Sequence, residues 1–553
     1  MKKILILILI FVFSNVFSQI PEFQNGVVSS AQELASEVGI EILKNGGNAI
    51  DAAVGVGFTL AVVYPQAGNI GGGGFMLIHL PDGKNISLDY REKAPLLANR
   101  DMYLDPDGNI IEALSTLGHL AAGVPGSVAG MLYALDKFGT MDRAQVMNFA
   151  ISYAENGFVI NDRLASALNE NRNDFKKFSG SYKLFNKHFK AGDKLIQKDL
   201  ANTLKAIRDS GKDGFYKGWV ADLIVTEMKN GNGIISYKDL DEYNVVERNV
   251  VKGSYRGYDI VSIGPPASGG ICLIYLLNIL ENYDFKDNGF GSVENVHLMT
   301  EAMKRVFADR SKFMGDPDFY DLPVEKLISK EYAIKRMLDF DNKKATKSSD
   351  IRPEDLYIKE HNQTTHYSIA DKFGNLVSTT TTLNDNFGSK VIVDGAGFLL
   401  NDEMDDFSSK PGVSNMFGLL GSEANSIAPG KRMLSSMTPT IILKDNKPFL
   451  ILGSPGGGKI ITTVLETIVN IIDYGFILRT AIELPRFHHQ WYPDVLQVEQ
   501  NMMLQINFRL LKSMDYDIKV VPDFGRIDAV MFLPNSSMTG YSDSRGYGKA
   551  LGY

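Results

Sequence analysis

Thr364 follows directly on a polar stretch, and a threonine hydroxyl needs a base before it can act as a nucleophile. If the chain is cut before Thr364, the new α-amine, with a pKa of about 7.7–8, can take that proton. Thr364 also opens a strand-like run, and Thr382 lies on the run that returns, near enough for the two hydroxyls to hydrogen-bond. Spacing fits Thr364-Thr365 equally as ordinary residues of a Thr-rich strand. A second group, Gly453-Ser-Pro-Gly-Gly-Gly-Lys459, has the G-x-x-x-x-G-K spacing of a phosphate loop between a strand-like and a helix-like segment. Position 460 is Ile, so the hydroxyl that would hold Mg²⁺ is missing. What remains is a set of backbone N–H groups at a helix start, which suits an oxyanion as well as a phosphate. A third group is Asn384, Glu403, Asp405 and Asp406, which Arg91, Ser435 and Ser436 could complement. It offers acceptors for an ammonium and donors for a carboxylate, the needs of an amino-acid head group. Asp405-Asp406 also fit a helix cap or a solvent-facing pair. His488-His489, beside Trp491, lack a third metal ligand at useful spacing, and a packing role suits them better. No G-x-S-x-G serine motif occurs.

These residues need elements to hold them. Thr365 to Ala370 alternates in polarity, Lys372-Phe-Gly-Asn375 turns, and Leu376 to Leu383 alternates again, which predicts a hairpin. Phe449–Leu452 reads as a strand running into the glycine loop, and Ile460–Ile472 as an apolar helix leaving it. Upstream, Ser30 and Glu33 suggest a capping box for an amphipathic helix that ends at Gly46-Gly47, and a buried helix follows over 49–63. After Gly68 and Gly71–Gly74, Phe75–Leu80 and Ile86–Tyr90 read as two strands around Asp82-Gly83, the second ending at Arg91. Residues 125–340 read as mostly helical, with the loop Gly264–Gly270 entering an apolar helix over 271–280. Asp341 to Gln363 is polar without an apolar period, which predicts an exposed linker. Strands and long helices alternate irregularly, so the class is mixed α and β.

The chain has 553 residues, 44% hydrophobic and 22% charged, enough apolar material for a large core and too much for disorder. A net charge of −8 argues against a nucleic-acid binder that works through a basic surface. Cys272 is the only cysteine, which excludes an intramolecular disulfide and a Cys-ligated zinc or iron–sulfur site. Lys2 and Lys3 precede ten apolar residues, Ile4 to Phe13. As a helix these span about 15 Å, half a bilayer, so residues 1–18 read as a signal peptide cleaved before Gln19 rather than as an anchor. The mature chain is therefore expected to be exported, to a periplasm or the medium, without a membrane anchor.

Eight segments in this order resemble γ-glutamyltranspeptidases (glutathione hydrolases) over essentially the whole mature chain. They are Gly46-Gly-Asn-Ala-Ile-Asp-Ala52, Gly71-Gly-Gly-Gly-Phe-Met-Leu77, Asp89-Tyr-Arg-Glu92, Gln363-Thr-Thr-His-Tyr-Ser368, Met404-Asp-Asp-Phe-Ser408, Leu434-Ser-Ser-Met437, Gly453-Ser-Pro-Gly-Gly457 and Pro485-Arg-Phe-His-His489. The resemblance implies an α+β N-terminal-nucleophile hydrolase with an αββα sandwich. Its precursor would cleave itself between Gln363 and Thr364 into a large subunit, 19–363, and a small catalytic subunit, 364–553, which stay together as a heterodimer. Thr364 would be the nucleophile and Thr382 would orient or activate it. Gly456 and Gly457 would supply the oxyanion N–H groups. Arg91, Ser435 and Ser436 would hold the α-carboxylate of a γ-glutamyl group, and Asn384, Glu403 and Asp406 its α-amine. Glutathione and other γ-glutamyl compounds would be donors, water or an amino acid or peptide the acceptor, and no cofactor or metal is implied. Position 403 is Glu where some bacterial relatives carry Gln. Residues 410–431 match a lid segment, in which Phe417 replaces a frequent Tyr. Two other readings stay open: a cephalosporin-type acylase acting on glutaryl amides, which lack the α-amine, and a non-catalytic exported binding protein or a nucleotide binder using the Gly453–Lys459 loop.

Overall fold

The computed structural model describes residues 21–352, 364–410, 415–416, 419–504 and 507–553. The expected signal peptide, Gln363 and Phe417 lie outside the described residues. Two sheets stack face to face. In the first, seven strands lie in the spatial order Lys549–Gly552, Gly26–Ser30, Thr365–Asp371, Leu376–Thr382, Gly73–His79, Asn85–Asp89 and Val246–Arg248. In the second, six lie in the order Met538–Ser542, Asp528–Phe532, Lys447–Gly453, Thr440–Lys444, Tyr258–Ile263 and Val250–Tyr255. Neighbouring strands within both sheets run antiparallel.

Alternation along each strand distributes side chains between cores. Val27, Phe75, Leu77, Ala370 and Leu376 of the first sheet meet Val261, Ile263, Ile441, Ile451 and Val530 of the second in the layer between them. Their neighbours Val28, Met76, Ile78, Ile369 and Val377 face outward into a helical core that includes the helices Glu33–Lys44 and Ala49–Val63. On the other side Ile260, Ile442, Leu450, Leu452 and Ala529 pack among residues of the helices Gly269–Leu280, Val293–Phe313 and Lys459–Ile472. The result is the expected αββα sandwich. Because both faces of the central strands are covered, these strands read as nearly continuous apolar runs.

The hairpin forms over Thr365–Asp371 and Leu376–Thr382. Asp371 builds its turn by accepting hydrogen bonds from Phe373 N at 2.8 Å and Asn375 N at 3.0 Å. The same carboxylate accepts from Ala49 N at 2.8 Å, tying the turn to the start of the buried helix. One expectation needs correction and two need added detail. The helix Glu33–Lys44 starts after Gln32, and Ser30 makes no capping box; its hydroxyl donates to Gln32 O at 3.0 Å because Ser30 is still in the strand. Residues 125–340 are mostly helical as expected, and three strands among them, Val246–Arg248, Val250–Tyr255 and Tyr258–Ile263, also complete the two sheets. The described start of the linker is mostly exposed, as expected, but it is anchored to the fold: Ser348 Oγ donates to Trp491 O at 2.6 Å, and Trp491 Nε1 donates to Ser348 O at 2.8 Å. Ala345 and Ile351 are buried beside them, so two isolated apolar residues anchor a segment too short to show a period. Among the described residues no helix is long and apolar enough to cross a membrane.

Candidate active site

Antiparallel pairing sets Thr365 opposite Thr381 and Gly74 beside Thr381, so Thr364 and Thr382 fall at the same end of the hairpin. Both line one cleft, and Thr364 is only 5% exposed. Thr382 Oγ1 accepts a hydrogen bond from Asn384 N at 2.8 Å, which leaves its own hydroxyl proton to donate. Asn384 sits at φ +80°, a left-handed position that Asn tolerates, and this bends the chain back under the threonine. Asn69 fastens the same end: its Nδ2 donates to Thr382 O at 2.8 Å and its Oδ1 accepts from Gly72 N at 2.9 Å. The glycine run is needed here. A Cβ on Gly72 would sit 2.0 Å from Thr382 O, and one on Gly74 2.4 Å from Thr380 O.

A histidine two residues from Thr364 is the obvious candidate base, and the structure rules it out. His366 is buried, its Nδ1 lies 2.9 Å from Thr380 Oγ1 and its Nε2 3.0 Å from Ser368 Oγ. Burial, with Arg526 nearby, pushes its pKa down to about 3. Both ring nitrogens are committed within the sheet.

The glycine loop joins the strand Lys447–Gly453 to the helix Lys459–Ile472. Gly456 has φ +130° and Gly457 φ +54°. Lys459 N donates to Gly456 O at 3.0 Å and Ile460 N to Gly457 O at 3.1 Å, so the helix begins on these carbonyls and their amides lie before it. Gly457 lines the cleft with Thr364, and Gly456 lines a wider groove that also reaches Thr364. Ile460, at the position where a phosphate loop has its hydroxyl, packs between the sheets. The loop therefore brings the backbone of Gly456 and Gly457 beside the threonine.

The other end of the cleft is charged. Arg91, buried, pairs through Nη1 with Glu403 Oε1 and through Nη2 with Asp406 Oδ2, and Glu92 Oε2 lies 3.7 Å from Nη1. Burial pushes Glu403, Asp406 and Glu92 upward, and the Arg91 guanidinium opposes that rise. Glu403 Oε2 has no hydrogen-bond partner among the described residues. Asn384 Nδ2 donates to Asp402 O at 3.0 Å, and Asn415 Nδ2 to Asp406 Oδ1 at 3.0 Å. Asp405 turns away: it accepts from Ser115 Oγ and from Met416 N, each at 2.7 Å, and does not line the cleft. Across the cleft, Ser435 Oγ accepts from Met437 N at 3.2 Å, and Ser436 Oγ accepts from Arg310 Nη2 at 2.9 Å.

A family model described as Gamma-glutamyltranspeptidase matches residues 35–553. The chain belongs to the γ-glutamyltranspeptidase family. Among its relatives, a glutathione hydrolase proenzyme of Pseudomonas sp. (strain A14) is 51% identical over 494 residues, 89% of this chain and 86% of that protein. A glutathione hydrolase proenzyme of Escherichia coli (strain K12) is 47% identical over 526 residues, 94% of this chain and 90% of that protein. The crystal structure of a cephalosporin acylase from Bacillus halodurans superposes with TM-score 0.86 at 26% identity, covering 97% of each chain. The fold is that of the N-terminal-nucleophile hydrolases, and this member of the γ-glutamyltranspeptidase family is an enzyme of that class.

The cleft of this γ-glutamyltranspeptidase brings together Arg91, Thr364, Thr382, Asn384, Glu403, Asp406, Ser435, Ser436 and Gly457, with Gly456 adjoining on the groove side. His488 and His489 lie elsewhere and are buried. His488 Nδ1 is 2.9 Å from Thr462 Oγ1, and His489 Nε2 3.2 Å from Asp494 Oδ1. Sequence reasoning missed Asn69, Asn415 and Arg310. A lone Asn in a loop carries no signal. Arg310 lies 126 residues from the serine it meets, on a helix whose charged residues look like a solvated face.

Proposed function

We propose that the chain cuts itself between Gln363 and Thr364 and then transfers the γ-glutamyl group of glutathione and related γ-glutamyl amides to water, an amino acid or a peptide. The observation that carries this is one cleft: a buried threonine at a strand start shares it with backbone amides and with both halves of an amino-acid clamp. Thr364 Oγ attacks the γ-carbonyl carbon while its α-amine takes the hydroxyl proton, and the Thr382 hydroxyl donates to Thr364 and orients it. The developing O⁻ accepts hydrogen bonds from the Gly456 and Gly457 amides. The C–N bond breaks, the ammonium returns its proton to the leaving amine, and cysteinylglycine departs from a γ-glutamyl ester. Water or an acceptor amine then attacks that ester by the reverse proton path. Glu403, Asp406 and Asn384 hold the α-ammonium, and the two serines and Arg91 the α-carboxylate. Holding the head group several bonds from the reacting carbon orients the amide without touching it.

The acylase reading draws on the cephalosporin acylase's overlap in fold and on 35% identity with acylase ACY 1 proenzymes of Pseudomonas sp. over 93% of this chain. A glutaryl group would leave Glu403 Oε2 facing nothing, and this orphaned acceptor favours an ammonium. Residues 1–18 are proposed to direct export and to be removed before Gln19. Intact mass of purified protein tests the processing: fragments of 19–363 and 364–553 are expected. A Thr364→Ala protein that still divides, or equal turnover of glutaryl- and γ-glutamyl-p-nitroanilide, would overturn the corresponding part of the proposal.

A further inference from the structure

Two guanidinium groups line the cleft among the described residues, and their circumstances differ. Arg91 is already matched by Glu403 and Asp406. Arg310, 3% exposed near the end of the helix Val293–Phe313, makes no ion pair among the described residues. Its Nε donates to Ser268 Oγ at 2.8 Å and its Nη2 to Ser436 Oγ at 2.9 Å, and Nη1 makes no hydrogen bond among the described residues. Ser268 in turn donates through Oγ to Ser435 O at 2.7 Å and through N to the same carbonyl at 2.8 Å. Arg310 thus braces both serines of the clamp, one directly and one through Ser268.

We infer that Arg310 is a second binding residue of the carboxylate end: its guanidinium supplies the unpaired positive charge that meets the donor's α-carboxylate and fixes the Ser436 hydroxyl to donate to it. Two physical points support this. A buried cation without a counter-ion is costly, and an arriving carboxylate removes that cost. A Ser436 oxygen that accepts from Arg310 has its own proton directed elsewhere, into the cleft it lines. With Arg91 held by two carboxylates, Arg310 divides the clamp into an anionic half for the ammonium and a cationic half for the carboxylate.

This rests on the γ-glutamyl reading, and the test separates the two. Self-processed wild-type, Arg310→Gln and Arg310→Lys enzymes are compared on γ-glutamyl-p-nitroanilide and on 4-aminobutyryl-p-nitroanilide, which keeps the amine and lacks the carboxylate. Arg310→Gln is expected to raise KM for the γ-glutamyl anilide about ten- to a hundredfold with kcat changed less than about threefold. Its kcat/KM on the 4-aminobutyryl anilide should stay within about twofold of wild type, since that substrate offers Arg310 no charge. Arg310→Lys should recover part of the loss, and it carries the comparison if the Gln variant does not self-process. Equal losses on both anilides would mean that Arg310 only supports the fold, and no loss on either would mean that it is idle; both outcomes overturn the inference. Failure of the wild-type enzyme to use the γ-glutamyl anilide would instead overturn the functional reading.

Discussion

Glu92, Glu403 and Asp406 surround the Arg91 guanidinium, and Arg310 acts on Asp406 without pairing with it, so the proposed ammonium half of the clamp has more negative than positive charge unless a proton or a cation joins it. In the proposed clamp an arriving α-ammonium fills that role; Glu403 Oε2 and both Glu92 oxygens lack a hydrogen-bond partner among the described residues, and of the two residues Glu403 lines the cleft. Glu403→Gln keeps the shape and removes the charge. Hydrogen bonds to charged groups contribute about 1.5–3 kcal/mol, so KM for γ-glutamyl-p-nitroanilide should rise about ten- to a hundredfold with little change in kcat. Steady-state kinetics check this, and an unchanged KM would remove Glu403 from the clamp. Asp405 gives a different readout. Burial raises its pKa to about 7, against about 3.9 for an unfolded aspartate. The folded chain therefore binds this proton more tightly than the unfolded one. The stability it confers is complete below about pH 4 and is lost as pH rises through about 7. Asp405→Asn, which cannot ionise, should gain on wild type in Tm between pH 5 and 8. A Tm difference that stays flat over that range would show that Asp405 is ionised throughout.

At the scale of the element, two turns do the positioning. Asp371 holds the hairpin turn, and the glycine loop must place its amides just before the helix Lys459–Ile472. Gly456 has ample room, with the nearest atom to an added Cβ at 3.7 Å, but its φ of +130° is one that L-residues rarely adopt. Gly456→Ala should therefore fold and yet rotate its peptide out of place at a cost of about 1–3 kcal/mol. Loss of one oxyanion donor lowers kcat about 10²- to 10³-fold, and self-cleavage, monitored by denaturing gel over hours, should slow in parallel. Normal kcat in this variant would move the oxyanion site elsewhere. The hairpin, the loop and the helix Ala49–Val63 were legible because each shows its period or its turn residues within about fifteen positions. Tyr258–Ile263 was not: Asp259 and Ser262 break the apolar run, and only its place in the second sheet makes it a strand. The same limit hid Arg310, Ser268 and Asn69, whose roles come from partners far along the chain. Most residues that touch the proposed head group were legible through family resemblance; Arg310 and the residues that brace them were not.

For the whole molecule, the cut before Thr364 would leave two chains that are one fold. Residues 364–553 supply the centre of the first sheet, where Thr365–Asp371 and Leu376–Thr382 lie between Gly26–Ser30 and Gly73–His79 of the other part. The last strand, Lys549–Gly552, pairs with Gly26–Ser30, so the earlier part also holds the chain's end. In the second sheet Thr440–Lys444 pairs with Tyr258–Ile263. The core between the sheets mixes side chains from both parts, Val27, Phe75 and Val261 with Ala370, Ile441 and Val530. Separating the subunits would expose that core and the unpaired edges of both sheets, at about 25 cal/mol for each Å² of apolar surface uncovered. The processed enzyme is therefore expected to elute as one species in native size-exclusion chromatography. It should unfold in a single calorimetric transition, with both fragments released together. Thr364→Ala, which keeps the chain whole, should unfold in the same manner at a similar Tm, because the cut removes one peptide bond and no packed contact. Elution of the 364–553 fragment by itself at neutral pH, or two resolved transitions in the processed enzyme, would show that each subunit has an independent core and would contradict the shared sandwich.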